Sequence, residues 1–233
     1  MLTPTISTIV KPVPSSPAVA RGARPSPAAV THPFDGTIEM MGAPMSFPRN
    51  GEIYGEGEPA DFVYKVVSGT VRTYKVLADG RRQIGAFHLP GDVFGLEVGE
   101  EHSFSAEAIT ATKVLVARRS ALMNVAARDS NVARELWTLT ARELARVQEH
   151  ILLLVKSAQE RVVGFLFEMA ARRPAGDTVE LPMSRQDIAD YLGLTIETVS
   201  RTLTQLENDS AIALPTSKRI VLCNRATLKR LNA

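Results

Sequence analysis

The sequence predicts an α+β protein of three successive parts: an all-β barrel, a long helix, and a small helical domain ending in a hairpin. Three observations predict it. Residues 47–112 alternate apolar and polar side chains between closely spaced glycine and proline turns. Residues 130–159 repeat their seam residues at intervals of four and three. Residues 184–206 hold two short amphipathic segments joined at a glycine.

Residues 1–34 carry seven of the fourteen prolines, with three basic and no acidic side chains. Such a composition buries too little apolar surface to offset chain entropy, so a flexible Pro/Ser-rich extension is expected. It has no apolar core of a secretory signal, and no stretch of the chain approaches the ~20 apolar residues that span a bilayer. The single cysteine, Cys223, excludes an internal disulfide and a cysteine-built metal site within one chain. A cytoplasmic location suits it.

Residues 35–129 form the barrel. Turn signals fall at Gly51, Gly55, Gly57, Ser68–Gly69, Asp79–Gly80 and Pro90–Asp92, with alternating runs at Phe62–Val67 and Thr70–Val76 between them. Asp79–Gly80 is a two-residue hairpin signal, and Val114–Ala117 closes the sheet. Many short antiparallel strands at this spacing predict a β jelly-roll. His32, His88, His102 and His150 form neither an H-x-H pair nor an i, i+4 helical pair. No metal site or catalytic residue is expected, and a cupin-type enzyme is disfavoured.

Residues 130–159 read as a dimerisation helix. Ala133, Trp137, Thr140, Leu144, Val147, Ile151, Leu154 and Ala158 follow a 4-3-4-3 seam, as a two-helix coiled coil requires. Leu136, Leu139, Leu152, Leu153 and Val155 lie off that seam and are expected to pack on their own domain. The partner is then a second copy of the chain.

Residues 160–233 carry the chemistry. Ser184 and Asp187 cap a helix whose apolar face is Ile188, Ala189 and Leu192. Gly193 sits where that helix stops, and Thr195 caps the next. At about 100° per residue, Val199, Leu203 and Leu206 face a core, while Glu197, Ser200, Arg201 and Thr204 face outward. This is a helix-turn-helix with its reading face exposed. Arg201 can place two donors on guanine O6 and N7, Glu197 can accept from cytosine N4, and the small Ser200 lets the helix approach the groove floor. Glu197, Ser200 and Arg201 are therefore the expected base contacts. Ser184, Arg185, Gln186, Thr195, Thr198 and Thr204 are expected on the DNA backbone. The plainer reading of Glu197 and Arg201 is a surface ion pair worth a few tenths of a kcal/mol.

After the reader, Ile212–Leu214 and Arg219–Leu222 flank Pro215–Lys218 as a wing hairpin, with Lys218 and Arg219 placed for phosphates. Cys223 is expected as a small buried apolar residue. Thr227–Leu231 reads as a short closing helix. Residues 181–233 carry seven basic against five acidic side chains, and the chain's net charge is only +2. Affinity for DNA then rests on placed contacts as well as on bulk attraction.

The string D-I-A-D-Y-L-G-L-T-I-E-T-V-S-R, Asp187 to Arg201, resembles the Crp–Fnr transcription regulators, most closely the Fnr/FixK branch with its E-x-x-S-R pattern. Ile196 and Ser200 stand where cyclic-AMP receptor proteins carry Arg and Gly. The resemblance spans roughly residues 47–233. It implies a cyclic-nucleotide-binding-like barrel, a winged helix-turn-helix and a palindromic site with TTGA-like half-sites. It also implies a contact with RNA polymerase, for which Arg172–Asp177 occupies the matching loop. The family usually has a glycine before the wing, where Ser210 and Ala211 stand here. In the family's phosphate cassette, Leu96 takes the place of the ribose-binding Glu and His102 that of the phosphate-binding Arg. Glu97, Glu100 and Glu101 would repel a phosphate, so no cyclic nucleotide is expected. The first 222 positions hold no cysteine, which excludes the iron–sulfur cofactor of Fnr proteins. A FixK-like protein would act without cofactor, its abundance set by an upstream oxygen-responsive system, on genes of low-oxygen and nitrogen-fixation metabolism. A small ligand of the barrel that no motif reveals stays open as the alternative.

Overall fold

The computed structural model describes residues 37–38, 41–173 and 175–232. The extension at 1–34 lies outside the described residues.

Two antiparallel sheets make the barrel. One runs β1 (Ala43–Phe47), β8 (Thr112–Arg118), β3 (Phe62–Ser68), β6 (Val93–Phe94). The other runs β2 (Glu52–Tyr54), β7 (Ser105–Ala108), β4 (Val71–Val76), β5 (Arg82–His88). Sequence-distant strands are neighbours in both, which is jelly-roll connectivity. Tyr54, Tyr64, Val66, Val71, Phe94, Ala106 and Val114 fill the space between the sheets. Gly69 turns the chain from β3 to β4 at φ +89°, where a Cβ would lie 2.4 Å from Thr112 Oγ1. The β4–β5 hairpin closes differently from expectation. Leu77 N–H donates to Arg81 O at 2.8 Å, leaving a three-residue loop. A two-residue type I′ turn needs positive φ at both central positions. Here Gly80 alone takes it, at +83°, while Asp79 does not.

Helix α1 (Arg119–Ala126) ends the barrel and α2 (Ser130–Leu154) leaves it. The Asp129 carboxylate caps α2 by accepting from Asn131 N–H at 2.8 Å. The single helix expected over 130–159 is in fact two. Ser157 and Glu160 form a capping box that starts α3 (Ala158–Arg172), Ser157 N–H donating to Glu160 Oε2 at 2.9 Å. A residue committed as an N-cap cannot lie inside a preceding helix, so Ala158 leaves the seam. Leu136 and Leu139 pack on Val63, Leu122 and Val132 as expected, and Leu153 packs into the C-terminal core. Leu152 and Val155 do not; they are 65% and 81% exposed. The core they were expected to cover is filled by Val162, Val163, Phe165, Leu166 and Met169 of α3.

The C-terminal part follows as β9 (Thr178–Glu180), α4 (Arg185–Leu192), α5 (Ile196–Asn208), β10 (Ile212–Thr216), β11 (Arg219–Leu222) and α6 (Arg225–Leu231). The wing sheet is ordered β10-β11-β9. Its third strand, β9, was not anticipated. The apolar core here also takes in Ile84, Phe87 and Leu89 of the barrel. The Phe87 ring lies 5.1 Å from Tyr191 and 6.2 Å from Phe165. The helical domain is thereby seated on β5.

Candidate nucleic-acid interface

The two helices of the helix-turn-helix begin and end as their sequence dictates. The Ser184 hydroxyl accepts from Asp187 N–H at 3.0 Å, and Asp187 Oδ2 accepts from Ser184 N–H at 2.9 Å, a complete capping box for α4. Gly193 stops α4 at φ 61°, ψ 40°, a conformation costing an L-residue about 1–2 kcal/mol. Thr195 caps α5, accepting from Thr198 N–H at 3.2 Å.

On α5, Val199, Leu203 and Leu206 are buried, while Glu197, Arg201 and Thr204 are exposed and Ser200 half-buried. The outward arc is thus the expected one. The Glu197 carboxylate is held below the usual range by its own backbone amide first and the Thr195 hydroxyl second. Among the described residues it makes no ion pair with Arg201. The guanidinium of Arg201 stands in solvent.

The expected backbone-contact residues surround this arc. Ser184 and Thr195 are exposed but their hydroxyls serve the caps, and the Thr198 hydroxyl lies 3.1 Å from that of Thr195. Arg185 is half-buried, and Gln186 Nε2 donates to Asp190 Oδ1 at 2.6 Å. Lys218 and Arg219 are exposed at the wing tip. Ser210, where the family usually has glycine, adopts φ 55°. It keeps the glycine-like turn at a cost of about 1 kcal/mol. Cys223 is exposed, contrary to expectation. Leu222 before it points into the core at 2% exposure, and alternation along the strand turns Cys223 outward.

Arg172 of the expected polymerase loop turns inward, onto the carboxylate of Asp92 and the Phe87 carbonyl at 2.8 Å. Asp177 receives Arg225 Nε at 2.7 Å, and Arg173 is exposed. Along α2, Trp137, Leu144, Val147 and Ile151 are 75, 58, 52 and 56% exposed. Thr140 is also exposed, its hydroxyl donating to Leu136 O at 2.9 Å, and Leu154 is half-buried.

In the barrel, Leu96 packs beside Val93 and Leu122. His102 is 2% exposed and stacks on Tyr54 with centroids 3.6 Å apart. Burial holds its pKa below the ordinary value, against the pull of Glu97, whose Oε1 stands 3.7 Å from its Nδ1. Glu97 instead accepts from the Ser103 hydroxyl at 3.0 Å. A cavity of about 210 Å³ near His88 is lined also by Thr73, Phe94, Leu96, Thr140 and Glu143. Among the described residues, no group of three His, Cys, Asp or Glu is placed to hold a metal ion.

Two residues that bear on the reader escaped sequence reasoning. Arg72 of β4 and Arg82 of β5 reach Asp187 Oδ1, each at 2.7 Å. Nothing in the sequence marked them: Arg72 and Lys75 are both charged residues of the alternating run Thr70–Val76, and Arg82 follows Arg81 just after the Asp79–Gly80 turn.

Residues 160–231 match the model of the Crp-like helix-turn-helix domain, and residues 44–129 that of the cyclic nucleotide-binding domain. The chain is 51% identical over 202 residues to the nitrogen fixation regulation protein FixK of Azorhizobium caulinodans, covering 84% of this chain and 82% of that one. To FixK of Rhizobium meliloti it is 45% identical over 213 residues, covering 88% and 98%. Its fold superposes on the solved structure of FixK2 from Bradyrhizobium japonicum with a TM-score of 0.80, at 52% identity over 83% of this chain and 98% of that one. With both domains matched in order and FixK relatives covered along most of their length, the chain belongs to the Crp–Fnr family of DNA-binding transcription regulators, in its FixK branch.

Proposed function

We propose that the protein is a homodimeric transcription activator. It binds a palindrome of TTGA-like half-sites and works without cyclic nucleotide or iron–sulfur cofactor. The observation that carries this reading is the outward face of α5, where the Glu197 carboxylate and the Arg201 guanidinium are exposed beside half-buried Ser200, opposite three buried apolar residues. Two copies joined along α2 would present two such helices about 34 Å apart, in successive major grooves on one face of the duplex. Relatives named as nitrogen fixation regulation proteins support target genes of nitrogen fixation and the low-oxygen metabolism expected with it, and one named as a transcriptional activatory protein, AadR of Rhodopseudomonas palustris at 42% identity, supports activation. Contact with RNA polymerase falls to the exposed part of the 172–177 loop, with Arg173 in place of Arg172. A regulator that acts on DNA is placed in the cytoplasm; among the described residues no helix is long and apolar enough to cross a membrane.

The cofactor-free reading draws on Leu96 and His102. Both are committed to packing where the family's ligand contacts would stand. The cavity beside His88 is where the alternative, gating by a small ligand, would have to place that ligand. At about 210 Å³ it is below the ~300 Å³ at which ordinary ligand sites begin. Selection of bound duplexes from a random pool, with no effector added, tests the proposal. Recovery of a TTGA-like palindrome supports it; recovery of nothing until cell extract is added transfers support to the ligand-gated form.

A further inference from the structure

One carboxylate joins the barrel to the reading head. Asp187 is 3% exposed, and four donors converge on it. Ser184 gives two, from its backbone N–H at 2.9 Å and its hydroxyl at 2.8 Å, both to Oδ2. The barrel gives the others, Arg72 Nη1 and Arg82 Nη2, each 2.7 Å from Oδ1. Arg72 is braced on its far side, donating to Glu107 of β7 at 2.8 Å. Arg82 Nε reaches Asp190, almost a turn further along α4, at 2.8 Å. Helix α4 is therefore pinned at two points of its length, through the same residue that caps it.

The apolar contact of Phe87 with Tyr191 holds α4 against β5, but apolar contact is non-directional and tolerates small rotations. Planar guanidinium groups bonded to fixed carboxylates do not. Buried ion pairs add little net stability, because desolvation offsets their attraction. Arg72 Nε is moreover buried without a partner, an added cost that stability alone leaves unexplained. Orientation is what such an arrangement supplies.

We propose that Arg72 and Arg82 are positioning residues for DNA recognition. They fix the angle at which each barrel presents its reading helix, and hence the distance between half-sites that the protein accepts. This rests on the reading of the protein as a dimer on a palindrome.

The test uses the full chain with Arg72→Met, Arg82→Met, the double variant and Arg82→Lys. Each is bound to a single half-site and to palindromes whose spacer is changed one base pair at a time. Molecular mass in solution is followed alongside. The double variant should stay dimeric and bind the single half-site within about twofold of the parent. It should bind the best palindrome about tenfold more weakly, with a flattened spacer preference. Arg82→Lys, which keeps a donor near Asp190, should restore part of that preference. Proportional loss on half-site and palindrome would show damage to the head alone and overturn the proposal, as would an unchanged spacer preference. Should the double variant not fold, Arg82→Met carries the same comparison, since Arg82 is 26% exposed. If the parent protein itself prefers no palindrome, the dimer reading fails first and the proposal with it.

Discussion

Replacing Leu144 by glutamate is expected to separate the two copies of the chain. Leu144 is 58% exposed at the middle of the α2 stripe, so the single chain leaves more than half of its side chain in water. Full burial of a leucine is worth about 1.5–3 kcal/mol, which puts the gain at this position near 1 kcal/mol per copy and about 2 for both. A seam residue meets its own counterpart across the two-fold axis. Two carboxylates about 5 Å apart at an effective dielectric constant of about 20 repel by roughly 3 kcal/mol. The combined loss is about 5 kcal/mol, a rise of three to four decades in the dimer dissociation constant. Sedimentation equilibrium at micromolar concentration reads it directly, as a fall from twice the chain mass to once. Because Leu144 is exposed within one chain, the melting profile of the isolated fold should barely change. A variant that keeps the double mass, or that binds the palindrome as tightly as the parent, would refute the seam.

Three further outcomes are expected. Arg201→Ala should cost about 1–3 kcal/mol on the selected site and relax base choice at one position of each half-site; equal weakening on all duplexes would make Arg201 a phosphate clamp. Burial pushes His88 from the ordinary value near 6.5 down to about 4. Both states are neutral above pH 7. As pH falls from about 6.5 towards 4 the unfolded chain takes the proton first, and stability drops by about 1 kcal/mol by pH 5.5. His88→Gln should remove that slope from urea titrations, whereas parallel curves for parent and variant would contradict a ring kept neutral by burial. Gly193→Ala should lower stability by about 1 kcal/mol, because φ is +61° there; an unshifted melting temperature would mean that the turn relaxes.

The reader was legible because every signal it uses is local. Ser184, Gly193 and Thr195 mark helix ends through bonds within four residues, and Val199, Leu203 and Leu206 fix the buried side by periodicity alone. The capping box at Ser157 and Glu160 was equally local, but it lay under a seam pattern that ran on to Ala158 and hid the helix break. Strand β9 has three residues, too few to show alternation before its partner β11 is in place. Cys223 was misjudged from its residue type, which favours burial, when its position beside inward-facing Leu222 decided the matter. Arg72 and Arg82 were beyond sequence reasoning for a different reason. Their partner Asp187 is 115 and 105 positions away, and no spacing rule connects a barrel strand to a helix cap.

That distance bears on what the barrel does under the ligand-free reading. A regulator gated by a ligand can leave its head loosely placed until the ligand orders it, but one active without a ligand must hold the head by its own contacts. On that reading Tyr191 would do much of the holding. Its ring stacks on His150 of α2 at 4.0 Å and lies 5.1 Å from Phe87 of β5 and 5.7 Å from Phe165 of α3. Its hydroxyl donates to Glu168 at 3.1 Å. One side chain of the helical domain thus touches α2, the barrel and α3 together, and on our proposal the ion pairs at Asp187 fix rotation about that point. On the proposed ligand-free reading, with Leu96 and His102 packed as they are, the barrel would serve to orient the head rather than to sense.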